Sequence, residues 1–372
     1  LLRSDWATHV PISWSDALFT ATSAVTVTGL AVLDTDTHFT TAGQMVLLVL
    51  VQLGGIGIMT FAALTLLLLG HQLGIGEQRL VREAMNHTRV MDLGWLIKRI
   101  FVLVFVIELV GFLLLSVILI PDQGWLTGSY HALFYSISAF NNAGFALTSE
   151  SLVPKAGHWP LALVLGSLAV IGGLGFTVLA ELRLRTRWSA MSLHSRLMLS
   201  GTAILLLFTF VVFLLCEWSN PATLGSYDTS EKLAIGFFHA IVPRSAGFNM
   251  VDIGSLTLAV TMLYIVLMFI GAGTNSSGGG IKVTTFMVLI LSTRAFLSGR
   301  TTPSVFDRSI PLELVLKSLA MAFIAMMIVL VTLFALTLTD PHLGFLNLFF
   351  EAVSACATVG LSRGITGDLS EP

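Results

Sequence analysis

The chain has 372 residues, of which 55% are hydrophobic and only 11% are charged, and its formal net charge is -2. Soluble domains carry about 25% charged residues, so this composition excludes a water-soluble fold of this size. The near-neutral charge also excludes a basic nucleic-acid binder and a disordered acidic tail. We therefore expect an all-α polytopic membrane protein, surrounded by the lipid bilayer and without a nucleic-acid partner.

Six apolar runs approach the roughly 20 residues that cross a bilayer. They cover residues 42–69, 96–120, 160–182, 197–216, 256–291 and 312–338, and a polar, glycine-rich stretch interrupts the fifth. Thirteen of the 19 basic residues lie in three loops between these runs: Arg79, Arg82, Arg89, Lys98 and Arg99, then Arg183, Arg185, Arg187 and Arg196, then Arg294, Arg300, Arg308 and Lys317. The positive-inside rule predicts that these loops are cytoplasmic and that both ends of the chain are outside.

The outer segments contain an internal repeat. Each holds a moderately apolar stretch of about 10 to 15 residues, which is too short to span a bilayer but suits a re-entrant half-helix. Four such stretches place a Phe ten positions before a Gly, in the words FTATSAVTVTGL, FYSISAFNNAGF, FFHAIVPRSAGF and FEAVSACATVGL. Three of the words also carry Ser-Ala six and five positions before the glycine. The repeat predicts four units, covering residues 1–70, 71–188, 189–300 and 301–372.

A repeated half-helix would direct several helix ends to one centre. Ten helical residues reach about 15 Å, roughly the bilayer midplane. Irregular backbone at that depth is tolerated only where protein encloses it or where it lines a water-filled cavity. Four C-terminal dipole ends and the carbonyls of the returning loops would suit a dehydrated cation, and glycine permits the turn. We expect Ser15 and Asp16 to cap the first half-helix, and Asp340 with Pro341 to begin the fourth.

The interruption of the fifth apolar run predicts an intramembrane loop. The loop, residues 271–280, combines five glycines with four polar residues: Gly271, Gly273, Thr274, Asn275, Ser276, Ser277, Gly278, Gly279 and Gly280. This composition is unsuitable for an uninterrupted helix, although a kinked packing helix remains an alternative. The Walker and dinucleotide patterns both fail here. At the edge of the loop, Lys282 either repels cations or extends to the cytoplasm.

Several polar residues lie near the predicted turns. Three side-chain amides could either coordinate the ion or brace the loop through hydrogen bonds, and both roles remain open: Asn141, Asn142 and Asn249. Three hydroxyls are candidates for an additional ion site: Thr28, Ser245 and Thr358. We expect Arg244 to pair with an acid such as Asp252 or Glu351, or with half-helix carbonyls, and we expect a structural partner for Glu108 inside its span.

The four repeated words, and the segment LMFIGAGTNSSGGGIKVTTF at 267–286, resemble the membrane subunit of bacterial Ktr potassium uptake systems, in the Trk/Ktr/HKT superfamily. The resemblance covers essentially the whole chain. It implies four pseudo-repeated units (span, pore helix, span) around one pore in the bacterial plasma membrane, with the filter entrance outside. It also implies inward potassium transport, stimulated by sodium in Ktr systems, a homodimer, and a cytoplasmic nucleotide-binding RCK ring that gates the pore.

The resemblance also implies functional residues. The selectivity filter would consist of four glycines, whose carbonyls bind K⁺, and the residues before them: Gly29, Gly144, Gly247 and Gly360, with Thr28, Ala143, Ala246 and Val359. The 271–280 loop, with Lys282 at its edge, would be the gate. Plant relatives that prefer sodium carry Ser at the first filter position, so Gly29 favours potassium. The family has eight spans, and we therefore expect the first and last to be missing from this chain.

Two classes of function remain to be separated. One is a potassium-conducting pore or uniporter with a regulatory partner. The other is a polytopic membrane enzyme, which needs acids, histidines or a nucleophile clustered at one membrane depth. The nine histidines are scattered along the chain, so we expect neither an enzyme nor an organic cofactor. Within transport, sodium- or proton-coupled potassium symport is the closer alternative, and the sequence does not separate coupled from channel-like transport.

Overall fold

A computed structural model of the protein describes residues 1–57, 93–184, 187–244, 246–300 and 302–370. Some of the predictions fall outside these described residues. They are the end of the first apolar run, the boundary between the first two predicted units, the basic residues Arg79, Arg82, Arg89 and Arg185, and the candidate hydroxyl of Ser245.

The described residues are mostly helical. The helices are α1 (Trp14–Val25), α2 (Thr35–His38), α3 (Thr41–Ile56), α4 (Leu93–Gln123), α5 (Trp125–Phe140), α6 (Trp159–Leu174), α7 (Phe176–Leu184), α8 (Leu193–Glu217), α9 (Thr229–Ile241), α10 (Leu258–Ile270), α11 (Val283–Leu297), α12 (Leu312–Thr339) and α13 (Phe345–Cys356). A short hairpin of β1 (Ser304–Val305) and β2 (Arg308–Ser309) pairs antiparallel, with Ser304 opposite Ser309.

Three of the described helices are long and apolar enough to cross a membrane: α8, α12 and the 100–123 part of α4. Across residues 160–182, where one span was predicted, two helices meet at a bend: α6 and α7 pass the span test together but form an angle of 98°. Gly175 lies at this break with φ +91°, a conformation that ends the regular helix. The interruption of the fifth run is present as predicted, since residues 271–282 separate α10 from α11. We call this segment, which contains the predicted loop 271–280 and Lys282, the 271–282 loop.

The long helices expose apolar side chains, as expected of surfaces that face lipid. On α12, Phe323 is 63% exposed and Val331 is 68% exposed. Hydrocarbon chains solvate such surfaces, whereas water does not. The shorter helices α5 and α13, in contrast, bury residues such as Phe134, Phe140 and Phe350 in a common core. The apolar exterior and the buried short helices together indicate a helical membrane protein whose short helices pack inside it.

The starts of the short helices differ from the predicted caps. Ser13, rather than Ser15, caps α1, because Ser13 Oγ accepts from the Asp16 N–H (3.0 Å) and the Asp16 carboxylate accepts from the Ser13 N–H (3.2 Å). This reciprocal pair is a capping box, which satisfies two otherwise orphaned N–H groups. The fourth short helix begins at Phe345, since residues Pro341–Leu343 form a separate 3₁₀ turn.

Candidate functional site

Each of the helices α1, α5, α9 and α13 is followed by a turn with a glycine in the left-handed region. The φ angles are +83° at Gly29, +70° at Gly144, +71° at Gly247 and +85° at Gly360. Two positions before these glycines, three non-glycine residues also have positive φ: Val27 (55°), Asn142 (56°) and Thr358 (50°). Such angles are strained for residues with a Cβ atom. All four turns therefore share the left-handed glycine, and three of them also share the strained residue two positions earlier.

The first two turns lie in direct backbone contact. A Cβ atom added at Gly29 would lie 2.2 Å from the carbonyl oxygen of Ala143. A Cβ atom added at Gly144 would lie 2.6 Å from the Cα of Gly247 and 3.3 Å from the carbonyl oxygen of Ala246. Real Cβ atoms do not approach other atoms at the two shorter distances, so no larger residue fits at Gly29 or Gly144 without a shift of the backbone.

The contacts of the third and fourth turns complete a ring of four turns. A Cβ atom added at Gly247 would lie 3.0 Å from the carbonyl oxygen of Val359, and one added at Gly360 would lie 2.3 Å from the carbonyl oxygen of Thr28. The latter atom would also lie 3.1 Å from the Cα of Gly29. We call these four glycines the glycine ring. The structure thus brings together all eight residues predicted for the filter, through their main chains.

Hydrogen bonds fold each turn back onto its helix. The N–H of the residue before the glycine donates to the carbonyl five positions earlier in three turns: Thr28 to Ser23 (2.8 Å), Ala143 to Ser138 (2.8 Å) and Val359 to Ser354 (2.9 Å). In the third turn, Ala246 donates to the carbonyl of Val242 (3.1 Å). These bonds satisfy carbonyls at the helix ends and end the helices, as in C-terminal capping motifs.

The repeated Ser-Ala pair has a structural role that sequence reasoning did not assign. The hydroxyl of Ser23 donates to the carbonyl oxygen of Leu30 (2.7 Å), and that of Ser138 donates to the carbonyl oxygen of Phe145 (2.9 Å). Both acceptors immediately follow a glycine of the ring. In the fourth turn the buried Ser354 Oγ has no partner among the described residues. The serines of the first two turns therefore brace the chain just beyond the ring.

The third turn, which lacks this serine, is braced by His239 of α9. Its Nε2 accepts from the N–H of Met250 (3.1 Å), so Nδ1 carries the proton and donates to the hydroxyl of Tyr264 (3.0 Å). The tyrosine donates in turn to the His239 carbonyl (3.0 Å), and the imidazole stacks on Phe213 at 5.1 Å. Sequence reasoning missed this residue, although His239 is the only histidine in the four repeated words.

The predicted amides brace the turns through hydrogen bonds. Asn141 Nδ2 donates to Gln52 Oε1 (2.9 Å) and to Glu108 Oε1 (3.1 Å), while Gln52 Nε2 donates to Glu108 Oε2 (3.0 Å). Asn249 Nδ2 donates to the carbonyl of Val251 (3.1 Å). Glu108 therefore has the intramembrane partners that were expected, and the network joins α3, α4 and the second turn.

Arg244 has different partners from those expected. Its Nε donates to the carbonyl oxygen of Gly271 (3.4 Å), and its guanidinium also donates to Thr202 Oγ1 (3.5 Å). Neither partner is an acid or a half-helix carbonyl, so that expectation was wrong. The reason is geometric, because Arg244 extends toward the beginning of the 271–282 loop. A cavity of about 10 Å³, enough for one water molecule, lies beside it and is also lined by Asn142 and Thr202.

The 271–282 loop is closed on itself at its base. Ala272 N–H donates to the Gly279 carbonyl (3.2 Å), and Val283 N–H donates to the Ala272 carbonyl (3.0 Å). Lys282 Nζ donates to the carbonyls of Gly278 (2.5 Å) and Gly279 (3.5 Å). The ammonium group thus stabilises the loop from within, which neither of the two expectations for Lys282 described.

The loop also lies against two of the turns. Ser277 Oγ is 3.0 Å from the side-chain amide of Asn142 in the second turn. A Cβ atom added at Gly279 would lie 2.4 Å from Thr358 Oγ1 and 2.4 Å from the Ala357 carbonyl oxygen, both in the fourth turn. Contacts this close allow no side chain at Gly279. The structure therefore packs the predicted gate residues directly against two of the turns that carry the predicted filter residues.

Comparisons with known proteins identify a family to which this chain is similar. The sequence matches the family described as TrkH, cation transport protein, over residues 4–371. It is 44% identical over 370 residues to Ktr system potassium uptake protein B of Bacillus subtilis (strain 168), covering 100% of this chain and 83% of that relative. It is 35% identical over 371 residues to potassium/sodium uptake protein NtpJ of Enterococcus hirae, covering 99% of this chain and 81% of that relative.

A solved structure shares the fold. The crystal structure of the potassium transporter TrkH from Vibrio parahaemolyticus matches with a TM-score of 0.72 and 20% sequence identity, over 96% of this chain and 73% of that one. At this identity the likeness concerns the fold alone, a mostly helical membrane protein. The comparisons confirm the resemblance to the Trk/Ktr superfamily, and the chain belongs to the TrkH family of cation transport proteins.

Proposed function

We propose that this chain takes up potassium across the plasma membrane, with the glycine ring as its selectivity filter. The observation that carries the proposal is the closed ring of backbone contacts among four left-handed glycine turns, each of which follows a short helix. The names of the relatives, which refer to potassium uptake and to potassium/sodium uptake, support potassium as the cargo. Membership of a cation transport family makes an enzyme the weaker explanation.

The ring suits a cation for two physical reasons. A cation that leaves water can exchange its hydration shell for backbone carbonyl oxygens. The four short helices end at the turns, and a helix C-terminus carries about -0.5 elementary charge. Because no side chain fits within the ring, its size is set by the backbone and by the serine and histidine braces. We infer that K⁺ binds at the carbonyls of the filter residues.

We further infer that the 271–282 loop is the gate on the inner side of the ring. Its contacts with Asn142 and Thr358 support this role, because an ion leaving the ring past these residues would meet the loop. The glycines of the loop permit rearrangement, and Lys282 stabilises the arrangement described above. Release of the loop would then open the inner side of the pore.

The proposed assembly rests on the family resemblance. We propose four units with the boundaries predicted from the repeat, a homodimer of such subunits, and a cytoplasmic nucleotide-binding RCK ring as the regulatory partner. In this arrangement the filter entrance faces outside and the basic loops face the cytoplasm. The positive-inside rule supports this orientation.

Ion flux in lipid vesicles containing the purified protein tests the proposal. We expect potassium and rubidium to enter faster than sodium, and equal or faster sodium entry would contradict the filter assignment. The relative named potassium/sodium uptake protein makes sodium coupling a second candidate. Potassium uptake driven by a sodium gradient alone would establish sodium coupling, whereas unchanged potassium flux without sodium would exclude it.

A further inference from the structure

The break between α6 and α7 leaves backbone groups without helical partners. In a continuous helix, the N–H of Phe176 would donate to the carbonyl of Gly172, and the carbonyl of Gly173 would accept from the N–H of Thr177. The 98° bend at Gly175 separates these pairs. Backbone groups left unpaired at membrane depth are strongly unfavourable, so the bent helix requires partners from another part of the chain.

The 271–282 loop supplies those partners. The N–H of Gly273 donates to the carbonyl of Gly173 (2.8 Å), and the N–H of Phe176 donates to the carbonyl of Asn275 (3.0 Å). The two segments also pack closely, because a Cβ atom added at Gly175 would lie 2.2 Å from the Thr274 carbonyl oxygen. The loop and the broken helix therefore satisfy each other's main chains.

We propose that the break between α6 and α7 is the docking site that holds the 271–282 loop in place, and that Gly175 positions the loop there. The loop and the helix then have two arrangements. In one, the helix is bent and the loop is docked; in the other, the helix is straight, its own hydrogen bonds replace those of the loop, and the loop is released. This inference rests on the proposed function, since it names the element that keeps the proposed gate closed.

The hydroxyl of Thr177 supports a change between the bent and the straight arrangement. Among the described residues, the buried Thr177 Oγ1 has no hydrogen-bond partner while the helix is bent. In a straight helix, the carbonyl of Gly173 would lie four residues earlier, where a threonine hydroxyl commonly donates. The straight arrangement would thus satisfy a group that the bent arrangement leaves unpaired.

Two neighbouring glycines provide a matched test. Alanine at Gly175 would be strained by the φ of +91° and would overlap the Thr274 carbonyl. At Gly173, φ lies outside the left-handed region, and the nearest atoms to an added Cβ are 3.8 Å away. Both substitutions raise helix propensity. Only Gly175→Ala should disfavour the bent arrangement, and we expect it to shift the equilibrium toward the straight one by about tenfold.

Spin labels on the two helices would measure the bend directly. Cysteines at the exposed positions Leu163 and Arg183, with Cys216→Ser and Cys356→Ser, would carry the labels in the protein reconstituted in lipid. From helix geometry, their backbone separation is about 20 Å with the 98° bend and about 30 Å in a straight helix. We expect the longer distance to gain population in Gly175→Ala, and the Gly173→Ala control to keep the shorter one.

Flux measured on the same variants separates this inference from the proposed function. Without a regulatory partner, Gly175→Ala should raise potassium flux about tenfold over the wild type, and Gly173→Ala should not. An unchanged distance distribution in a folded Gly175→Ala protein would overturn the inference. If that variant does not fold, Gly273→Ala takes its place, because its Cβ would lie 2.6 Å from the Leu174 carbonyl oxygen. A changed distance without potassium flux in any variant would instead refute the proposed function.

Discussion

Removal of the Ser138 hydroxyl should loosen the second turn. The side chain is fully buried, and its Oγ donates to the carbonyl oxygen of Phe145 over 2.9 Å. Ser138→Ala leaves that carbonyl without this donor, and an unsatisfied buried group costs about 1–3 kcal/mol. Displaced arrangements of the turn should therefore become roughly 5 to 150 times more populated. Because Phe145 directly follows Gly144, the displacement should reach the glycine ring.

Ser354→Ala is the matched control. Ser354 occupies the same position in the fourth repeated word, but its buried Oγ has no partner among the described residues. Loss of an unpaired buried hydroxyl is neutral or slightly stabilising. The assay compares the potassium-to-sodium flux ratio and the thermal unfolding midpoint of both variants in lipid. We expect both quantities to fall for Ser138→Ala alone, and equal behaviour of the two variants would refute the bracing argument.

Three further predictions concern the hydrogen-bond network around Glu108, the proposed gate and the residue that follows α12. Glu108→Gln replaces one of the two carboxylate acceptors by an NH2 group, so that one of the amide donors of Gln52 and Asn141 faces another donor. The change should destabilise the protein by about 1–3 kcal/mol, measured by unfolding against the exposed control Glu150→Gln, which should be neutral. Deletion of residues 274–277 should leave uptake open and poorly regulated, so unchanged flux would argue against a gate. Hydrogen bonds from Thr339 and Ser370 lower the pKa of Asp340 below its usual value of 3.8, so its stabilising effect is complete above that value. The difference in unfolding midpoint between wild type and Asp340→Asn should therefore be present at neutral pH and disappear as the pH falls through the lowered pKa.

The four glycine turns could be predicted from the sequence because their requirements are local. A left-handed turn at the end of a short helix needs glycine at a fixed distance from the helix, and this spacing recurs four times. The interruption between α10 and α11 was also predictable, because its polar and glycine-rich composition is incompatible with a regular apolar helix. In both cases the residues of the segment itself determine its conformation.

The break at Gly175 could not be predicted from local sequence in this way. Residues 160–182 have the composition of one span, and glycine only permits a bend. The bend depends on partners about 100 residues away, Gly273 and Asn275, which bond to its free backbone groups. The brace at His239 depends in the same way on the distant Tyr264. Tertiary hydrogen bonds of this kind have no signature in local composition.

Ion selection by the glycine ring is tested most directly by a substitution within the ring. Potassium and sodium flux should be measured for Gly247→Ser in lipid vesicles, beside the control Gly364→Ser. Both glycines have positive φ, at +71° and +90°, but an added Cβ would meet Gly144 Cα at 2.6 Å in the first and nothing within 4 Å in the second. We predict a loss of potassium selectivity in Gly247→Ser and retention in Gly364→Ser. Unaltered selectivity in Gly247→Ser would contradict the assignment of the glycine ring as the filter.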